Sequence, residues 1–200
     1  MNKHHQIVII GGGTGGIMVA AQLKKAKKGL DIAIIDPSET HYYQPANTLV
    51  GAGLMKFEDT TRKEEKFIPS GVAWIKEFVS DIQPDNNEVI LKNGDTITYE
   101  YLVNATGIQI NLDGIKGLKE AFGKNGVCSN YVDPEYTWEL FEKFKGGNAL
   151  FTQPVTPIKC PGAPQKIMYL MGDHIAKKGL EEDTNIIFAT PGTMIFGVQP

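Results

Sequence analysis

The sequence predicts an α/β chain with a parallel sheet, and three observations carry that reading. An apolar run, Ile7 to Ile10, leads into a glycine-rich turn, Gly11-Gly12-Gly13-Thr14-Gly15-Gly16. A second apolar run, Ile32 to Ile35, ends on an acid, Asp36. A strand–loop–helix–strand pattern then returns over residues 148–189, and such alternation is the pattern of βαβ units.

The first unit reads as a strand over 6–10, a helix over about 14–28 and a strand over 31–36. Gly11 can take backbone angles that a Cβ would forbid. Gly13 lets the backbone approach a pyrophosphate, and Gly16 lets the helix pack close to the strand. The helix start offers unpaired N–H groups and partial positive charge to phosphates. Asp36, with its acid at the end of the second strand, can accept hydrogen bonds from a ribose diol. Strand, glycine turn, helix and acid in this order make the motif a dinucleotide site, where a glycine pattern alone would be weak. The helix buries Ile17, Val19, Ala20 and Leu23, and ends in lysines before Gly29, with cations at the negative end of its dipole.

His41-Tyr42-Tyr43-Gln44-Pro45 and Leu49-Val50-Gly51-Ala52-Gly53 are too aromatic for a linker and too broken for one regular element; they read as a loop and short helix that touch something. Residues 72–79 read as one strand leading into Ser80-Asp81-Ile82. Asn93-Gly94, between the β-rich runs at 88–91 and 96–99, is a strong hairpin signal. Tyr101 to Asn104 reads as a further strand, ending in Ala105-Thr106-Gly107, small residues suited to a second backbone turn against a dinucleotide.

The region 108–145 reads as linker and helix, and Tyr136, Trp138, Leu140, Phe141 and Phe144 form an apolar stripe assigned to the core. A strand over 148–152, a loop from Gln153 to Gly162, a helix over 163–178 and a strand over 185–189 then begin a second unit. The apolar stretch before Gly197 to Pro200 reads as the start of one more strand. A sheet stopping there keeps an open edge, so the chain reads as part of something longer. The domain assignment is residues 1–110 for a Rossmann-like dinucleotide domain with a β-hairpin insertion and a three-layer arrangement, lacking its C-terminal segment. Residues 111–200 are a linker helix and an incomplete second Rossmann-like domain.

Composition narrows the class. The chain has 200 residues, 42% of them apolar, enough for a sizeable core, and its net charge of -3 argues against a nucleic-acid partner. The lysines, including the run from Lys56 to Lys66, are matched by acids and read as solvated faces. No apolar run reaches the ~18–20 residues needed to span a bilayer. No signal-peptide pattern or metal-ligand spacing is evident, and two cysteines make no disulfide framework.

The second strand–helix loop holds the most pointed chemistry. Where the first unit has glycines, residues 154–166 carry Pro154, Pro157, Pro161 and Pro164 around Cys160. Prolines remove N–H donors and stiffen the path, which suits this loop poorly to cradling a second pyrophosphate. It instead presents Cys160 at a helix start, where the dipole, with Lys159 or Lys166 close in sequence, favours the nucleophilic thiolate.

Taken together, GGGTGG at 11–16, HYYQP at 41–45, LVGAG at 49–53, ATG at 105–107 and PxKCxGAPQK at 157–166 resemble the sulfide:quinone oxidoreductases. These are FAD-dependent members of the pyridine nucleotide-disulfide oxidoreductase superfamily. The resemblance covers essentially the whole chain, and the loop version is similar to the branch that includes the mitochondrial enzymes. It implies FAD along the first unit, with Gly11, Gly12, Gly13, Thr14, Gly15 and Gly16 on the pyrophosphate and Asp36 on the adenosine ribose. Val79 is implied near the adenine, and Asn47, Ala105, Thr106 and Gly107 along other parts of the cofactor. Cys160 matches one of two cysteines that oxidise sulfide to polysulfide or sulfane sulfur, with electrons passing through FAD to a membrane quinone.

The family's second essential cysteine, its quinone pocket and its membrane-binding helices are expected beyond Pro200. Cys128 stands where some bacterial members carry an additional cysteine; sulfur relay and core packing both stay open for it. His41 is a further candidate to face the flavin, and His174 reads as surface. The expected location is cytoplasmic, peripheral to the inner face of the cell membrane in the full-length protein, with homo-oligomerisation left open. Two alternatives remain: a type II NADH:quinone oxidoreductase-like flavoprotein, and a non-catalytic FAD- or nucleotide-binding fragment.

Overall fold

The two apolar runs lie side by side as parallel strands, Ile7 against Ile32 through Ile10 against Ile35. A computed structural model describes residues 3–154, 158–160, 162–193 and 195. The chain divides into one unit of Met1–Tyr42 and Thr61–Asn111 and another of Tyr43–Thr60 and Leu112–Pro200.

The first unit is built on eight strands and one helix: β1 (Lys3–Ile10), α1 (Thr14–Ala26), β2 (Ile32–Ile35), β3 (Thr40–Tyr42), β4 (Thr61–Lys63), β5 (Val72–Ile75), β6 (Val79–Gln83), β7 (Glu88–Leu91) and β8 (Thr96–Asn104). Six of them form a sheet in the order β5-β2-β1-β8-β7-β6. The β5-β2-β1-β8 part is parallel, and β7 and β6 continue it antiparallel. Alternation assigns the side chains of β1 and β2 to opposite faces. Ile7, Ile9, Ile32 and Ile34 pack with Ala20, Val19 and Leu23 of α1. Val8, Ile10 and Ile35 pack with Val89, Leu91, Ile97 and Tyr99 of the hairpin. A sheet covered on both faces explains why these strands are continuous apolar runs. Among the described residues, no helix is long and apolar enough to cross a membrane.

Helix α1 stops at Ala26, two residues short of the expectation, because Lys27 turns to extended backbone. Gly29, at φ +87°, reverses the chain into β2. The Nζ of Lys24 donates to the carbonyls of Leu30 and Gly71 at 3.1 and 3.2 Å, so this lysine is spent on loops rather than on solvent. The single strand expected over 72–79 is two. The chain turns at 76–78, where Glu77 N–H donates to Ile75 O at 3.0 Å and Lys92 N–H donates to Phe78 O at 2.8 Å. β5 thereby stays in the parallel part and β6 joins the hairpin. The hairpin turn lies at Lys92 to Asp95, with Gly94 at φ +88°, and β8 runs unbroken into the stretch expected as a separate strand.

The second unit holds α2 (Asn47–Gly51), α3 (Leu118–Ala121), α4 (Pro134–Lys143), β9 (Gly147–Thr152), α5 (Ala163–Lys178) and β10 (Thr184–Ala189), with β9 and β10 parallel. Asp133 caps α4 by accepting the Tyr136 N–H at 2.9 Å. Phe141 of α4 is buried with Ile167, Met171 and Ile175 of α5, and Trp138 and Phe144 pack against them. Trp138, Phe141 and Phe144 of the apolar stripe therefore belong to the core, while Tyr136 and Leu140 are half-buried outside this cluster. His174 departs from its surface reading: it is half-buried, its Nε2 lies 3.1 Å from Phe141 O, and its ring meets Trp138 edge-on at 5.2 Å. The further strand expected near the chain end falls largely outside the described residues.

The tightest point of the first unit is Gly16, where a Cβ would stand 1.9 Å from Gly11 O. Overpacking against backbone has no side chain to rearrange, so Gly16→Ala is expected to cost about 3 kcal/mol or more. Chemical denaturation of the variant beside the parent measures this.

Candidate functional site

The glycine turn is held from three sides. The Gly11 N–H donates to Ile35 O at 2.9 Å, which fixes the end of β1 against β2. Gly11 has φ +104°, and a Cβ on it would stand 2.4 Å from Ala105 O. Ala105 N–H donates to Ile10 O at 2.8 Å. The parallel pairing of β1 with β8 thus sets the turn at 11–16 directly against the Ala105-Thr106-Gly107 turn, the two loops chosen from sequence. Thr106 N–H is tied to Asn104 Oδ1 at 3.3 Å, and Gly107 adopts φ +76°.

Gly13, Thr14 and Gly15 are exposed, and nothing lies within 4 Å of a Cβ placed on Gly13. Gly13 is also the N-cap of α1 and has no side chain to occupy the first N–H groups of a helix that begins at Thr14. An open, glycine-lined helix start presenting backbone donors is a cradle that fits a pyrophosphate.

Asp36 follows β2 and is fixed by its own backbone. Its N–H donates to Ile75 O at 3.0 Å, and its carbonyl accepts the indole N–H of Trp74 at 2.9 Å. Its carboxylate accepts the Gly12 N–H at 2.6 Å on Oδ2 and the Ser38 N–H at 2.7 Å on Oδ1. A carboxylate has about four acceptor positions, so two backbone bonds orient it and leave capacity for a diol. Val79 opens β6, half-buried against the hairpin core.

Sequence reasoning missed Glu64. It follows β4 inside the lysine-rich run read as solvated, yet its relative exposure is only 2%. Its Oε2 lies 3.1 Å from His41 Nδ1, and His41 packs on the ring of Phe67 at 4.7 Å. Its Oε1 is buried and has no hydrogen-bond partner among the described residues. That oxygen would lie 2.9 Å from a Cβ on Gly12, as would the Cβ of Asp36. Gly12 is therefore glycine because two acidic side chains close over it. Burial pushes the Glu64 carboxyl above the ordinary carboxylate range; His41 opposes this, and the charge on Asp36 adds to it. No local pattern in the run flags Glu64, because its burial comes from a segment returning antiparallel to β3.

In the second unit Cys160 is exposed, its carbonyl accepting the Ala163 N–H at 2.9 Å where α5 begins. Lys159 anchors this loop: its Nζ donates to Gln44 Oε1 at 3.0 Å and to Tyr131 OH at 3.2 Å, and sits 5.2 Å from the Tyr131 ring centre. The loop motif and the Gln44 of HYYQP thus meet through side chains. Pro157 and Pro161, which the stiffening argument used, lie outside the described residues; Pro164 stands in the first turn of α5. Asn47 is buried and donates from Nδ2 to Tyr131 O at 3.1 Å. Cys128 is half-buried and its sulfur accepts from Thr137 Oγ1 at 3.5 Å. Burial pushes its thiol up; the Thr137 hydroxyl opposes this and Asp133 reinforces it. Among the described residues there is no cluster of three or more groups that could hold a metal ion.

The family model for pyridine nucleotide-disulphide oxidoreductases matches residues 5–139. The chain belongs to this family. A mitochondrial sulfide:quinone oxidoreductase of Dictyostelium discoideum is 46% identical over 97% of the chain, and that of Mus musculus is 46% identical over 98%. The solved sulfide:quinone oxidoreductase of Aquifex aeolicus superposes with a TM-score of 0.75 at 28% identity, over 94% of this chain and 43% of that one. The chain spans 44% of the length of the two curated relatives. As a pyridine nucleotide-disulphide oxidoreductase it carries the family's α/β fold and glycine turn.

The two thiols should separate by reactivity. Cys160 is expected to alkylate with iodoacetamide at neutral pH in the folded chain, while Cys128 stays protected until denaturant is added; peptide mass spectrometry reads both. Because the Cys128 thiol is raised in the folded state, its contribution to stability is present below the ordinary thiol range. That contribution is lost as pH rises through its folded value.

Proposed function

We propose that the chain is the N-terminal portion of a sulfide:quinone oxidoreductase. Sulfide is oxidised to polysulfide or sulfane sulfur, and the electrons reach a membrane quinone by way of FAD. The observation that carries this reading is the contrast between the two strand–helix loops, an open glycine cradle after β1 and an exposed thiol before α5. Similarity over nearly the whole chain to proteins named for this activity supports it.

In this reading Gly11, Gly12, Gly13, Thr14, Gly15 and Gly16 take the pyrophosphate, and Asp36 takes the adenosine ribose. Ala105, Thr106 and Gly107 bring backbone against the cofactor, and Val79 and Asn47 line its remaining parts. FAD, when bound, supplies the two-electron acceptor. Cys160 carries the sulfur: its thiolate and hydrosulfide join in a sulfur–sulfur bond, releasing one proton and two electrons. A thiolate is the natural partner for such exchange. The pinned Lys159 holds the loop that presents it. Cys128, half-buried and hydrogen-bonded, is better suited to packing than to sulfur relay. Reaction with a membrane quinone puts the complete enzyme at a membrane surface. Residues 1–110 serve as the dinucleotide domain and residues 111–200 as the start of a second.

The NADH-oxidising alternative wants a second glycine fingerprint after β9, and the sequence there offers prolines and Cys160. Anaerobic sulfide added to the full-length holoenzyme is expected to bleach the flavin absorbance, whereas NADH is not. Reduction by NADH alone would favour the alternative, and a flavin that responds to neither would favour a non-catalytic binding role.

Replacing the nucleophile removes the sulfur carrier, so Cys160→Ser should slow sulfide-driven bleaching on the order of 100-fold or more with flavin content unchanged. Stopped-flow absorbance checks it; equal rates in variant and parent would exclude Cys160. Losing a hydrogen bond to a charged group costs roughly 1.5–3 kcal/mol. Asp36→Ala should accordingly weaken FAD retention about tenfold or more, read as flavin occupancy after dialysis.

A further inference from the structure

The first unit contains a buried acid that the proposed chemistry does not use. Glu64 is 2% exposed, and its Oε1 has no partner among the described residues. That oxygen is directed at Gly12, the residue whose N–H orients Asp36. Leaving a buried carboxyl oxygen unpartnered is costly, so the position calls for an explanation.

We propose that Glu64 and His41 form a proton-holding pair that positions the glycine turn electrostatically, so that dinucleotide affinity depends on whether this pair keeps its proton. The inference rests on the reading of the turn as the FAD site. His41 and Glu64 are 3.1 Å apart. Whether the proton sits on the carboxyl or on the imidazole, the pair is neutral while it keeps it. Loss of the proton leaves one buried negative charge beside Gly12, next to Asp36, and close to where a doubly charged pyrophosphate would lie. The repulsion acts where solvent screens poorly.

The other charged groups nearby do not duplicate this effect. Glu39, after β2, faces Lys76 and is exposed. Lys63 and Glu65 flank Glu64 on its own segment and are exposed, as is Lys66. His41 and Asp36 are the charges that act on the Glu64 carboxyl, the first lowering and the second raising its proton affinity, while burial raises it most. Glu64 and His41 are positioning residues here, acting through Gly12 and Asp36 rather than touching the ligand.

The test uses the full-length enzyme stripped of flavin, with FAD binding read by quenching of flavin fluorescence. FAD serves because its pyrophosphate charge is constant over the range. In the parent, affinity is expected to weaken about tenfold as pH rises from the ordinary carboxylate range through the point where the raised carboxyl ionises. In Glu64→Gln, which keeps shape without charge, affinity should stay flat over the same range. Parallel pH profiles in parent and variant would overturn the proposal. A parent that binds no FAD at any pH would overturn the site assignment itself, and the proposal with it. Should the glutamine variant fail to fold, the titration of Glu64 is followed in the parent by carbon NMR. Bound FAD must then raise its midpoint, because a ligand that prefers the protonated pair stabilises it; an unmoved midpoint would overturn the proposal.

Discussion

The first unit depends on one constraint: there is no room for a side chain where β1 turns into α1. A Cβ on Gly11 would meet the carbonyl of Ala105, one on Gly16 the carbonyl of Gly11, and one on Gly12 two carboxyl side chains. These approaches are set by hydrogen bonding rather than by loop conformation. Parallel pairing of Ile10 with Ile35 on one side and with Asn104 on the other fixes where three chain ends emerge from the sheet. The ends of β1, β2 and β8 supply the glycine turn, the acid and the Ala-Thr-Gly turn. A ligand site outside the carboxyl ends of parallel strands is then a consequence of the sheet. Asp36 illustrates it: backbone bonds to β5 hold the residue in place before its carboxylate bonds anything.

The second unit solves the same junction in the opposite way. β9 also delivers the chain toward a helix start, but the connection is rich in proline and carries a thiol. Backbone donors are what glycine gives and proline withholds, so a shared strand–loop–helix plan yields an anion cradle in one place and an exposed sulfur in the other. The side chain of Lys159 is committed to Gln44 and Tyr131. Its work is therefore to tether the loop as much as to supply charge near the sulfur.

Much of this was legible in the sequence because it rests on local rules. Apolar runs of four residues gave β1 and β2, the Asn93-Gly94 pair gave the hairpin, and the bounds of α5 follow from Pro164 near its start and Gly179 after its end. What sequence did not give depends on partners far along the chain. The break between β5 and β6 arises because Lys92 draws the carbonyl of Phe78 into the hairpin. His174 was read from its lysine-bearing neighbours, but its ring lies on the helix face that meets Trp138 and Phe141. Glu64 is the sharpest case. A glutamate between lysines carries every mark of a solvated residue, and only the return of β4 along β3 buries it.

That burial bears on what Glu64 is for. Filling space under Gly12 could be done by an apolar side chain of similar size at lower desolvation cost, and replacing buried ionic groups with apolar ones is often neutral or stabilising. An acid at this position brings instead a proton whose occupancy answers to its surroundings. Its carboxyl is buried, its Oε2 is paired with the His41 imidazole, and its other oxygen, without a partner among the described residues, lies at the residue that orients Asp36. A group whose charge is set by such neighbours senses whatever charge arrives at the turn, and by linkage must influence how strongly that charge is held. Coupling between ligand and proton therefore follows from the placement of the pair.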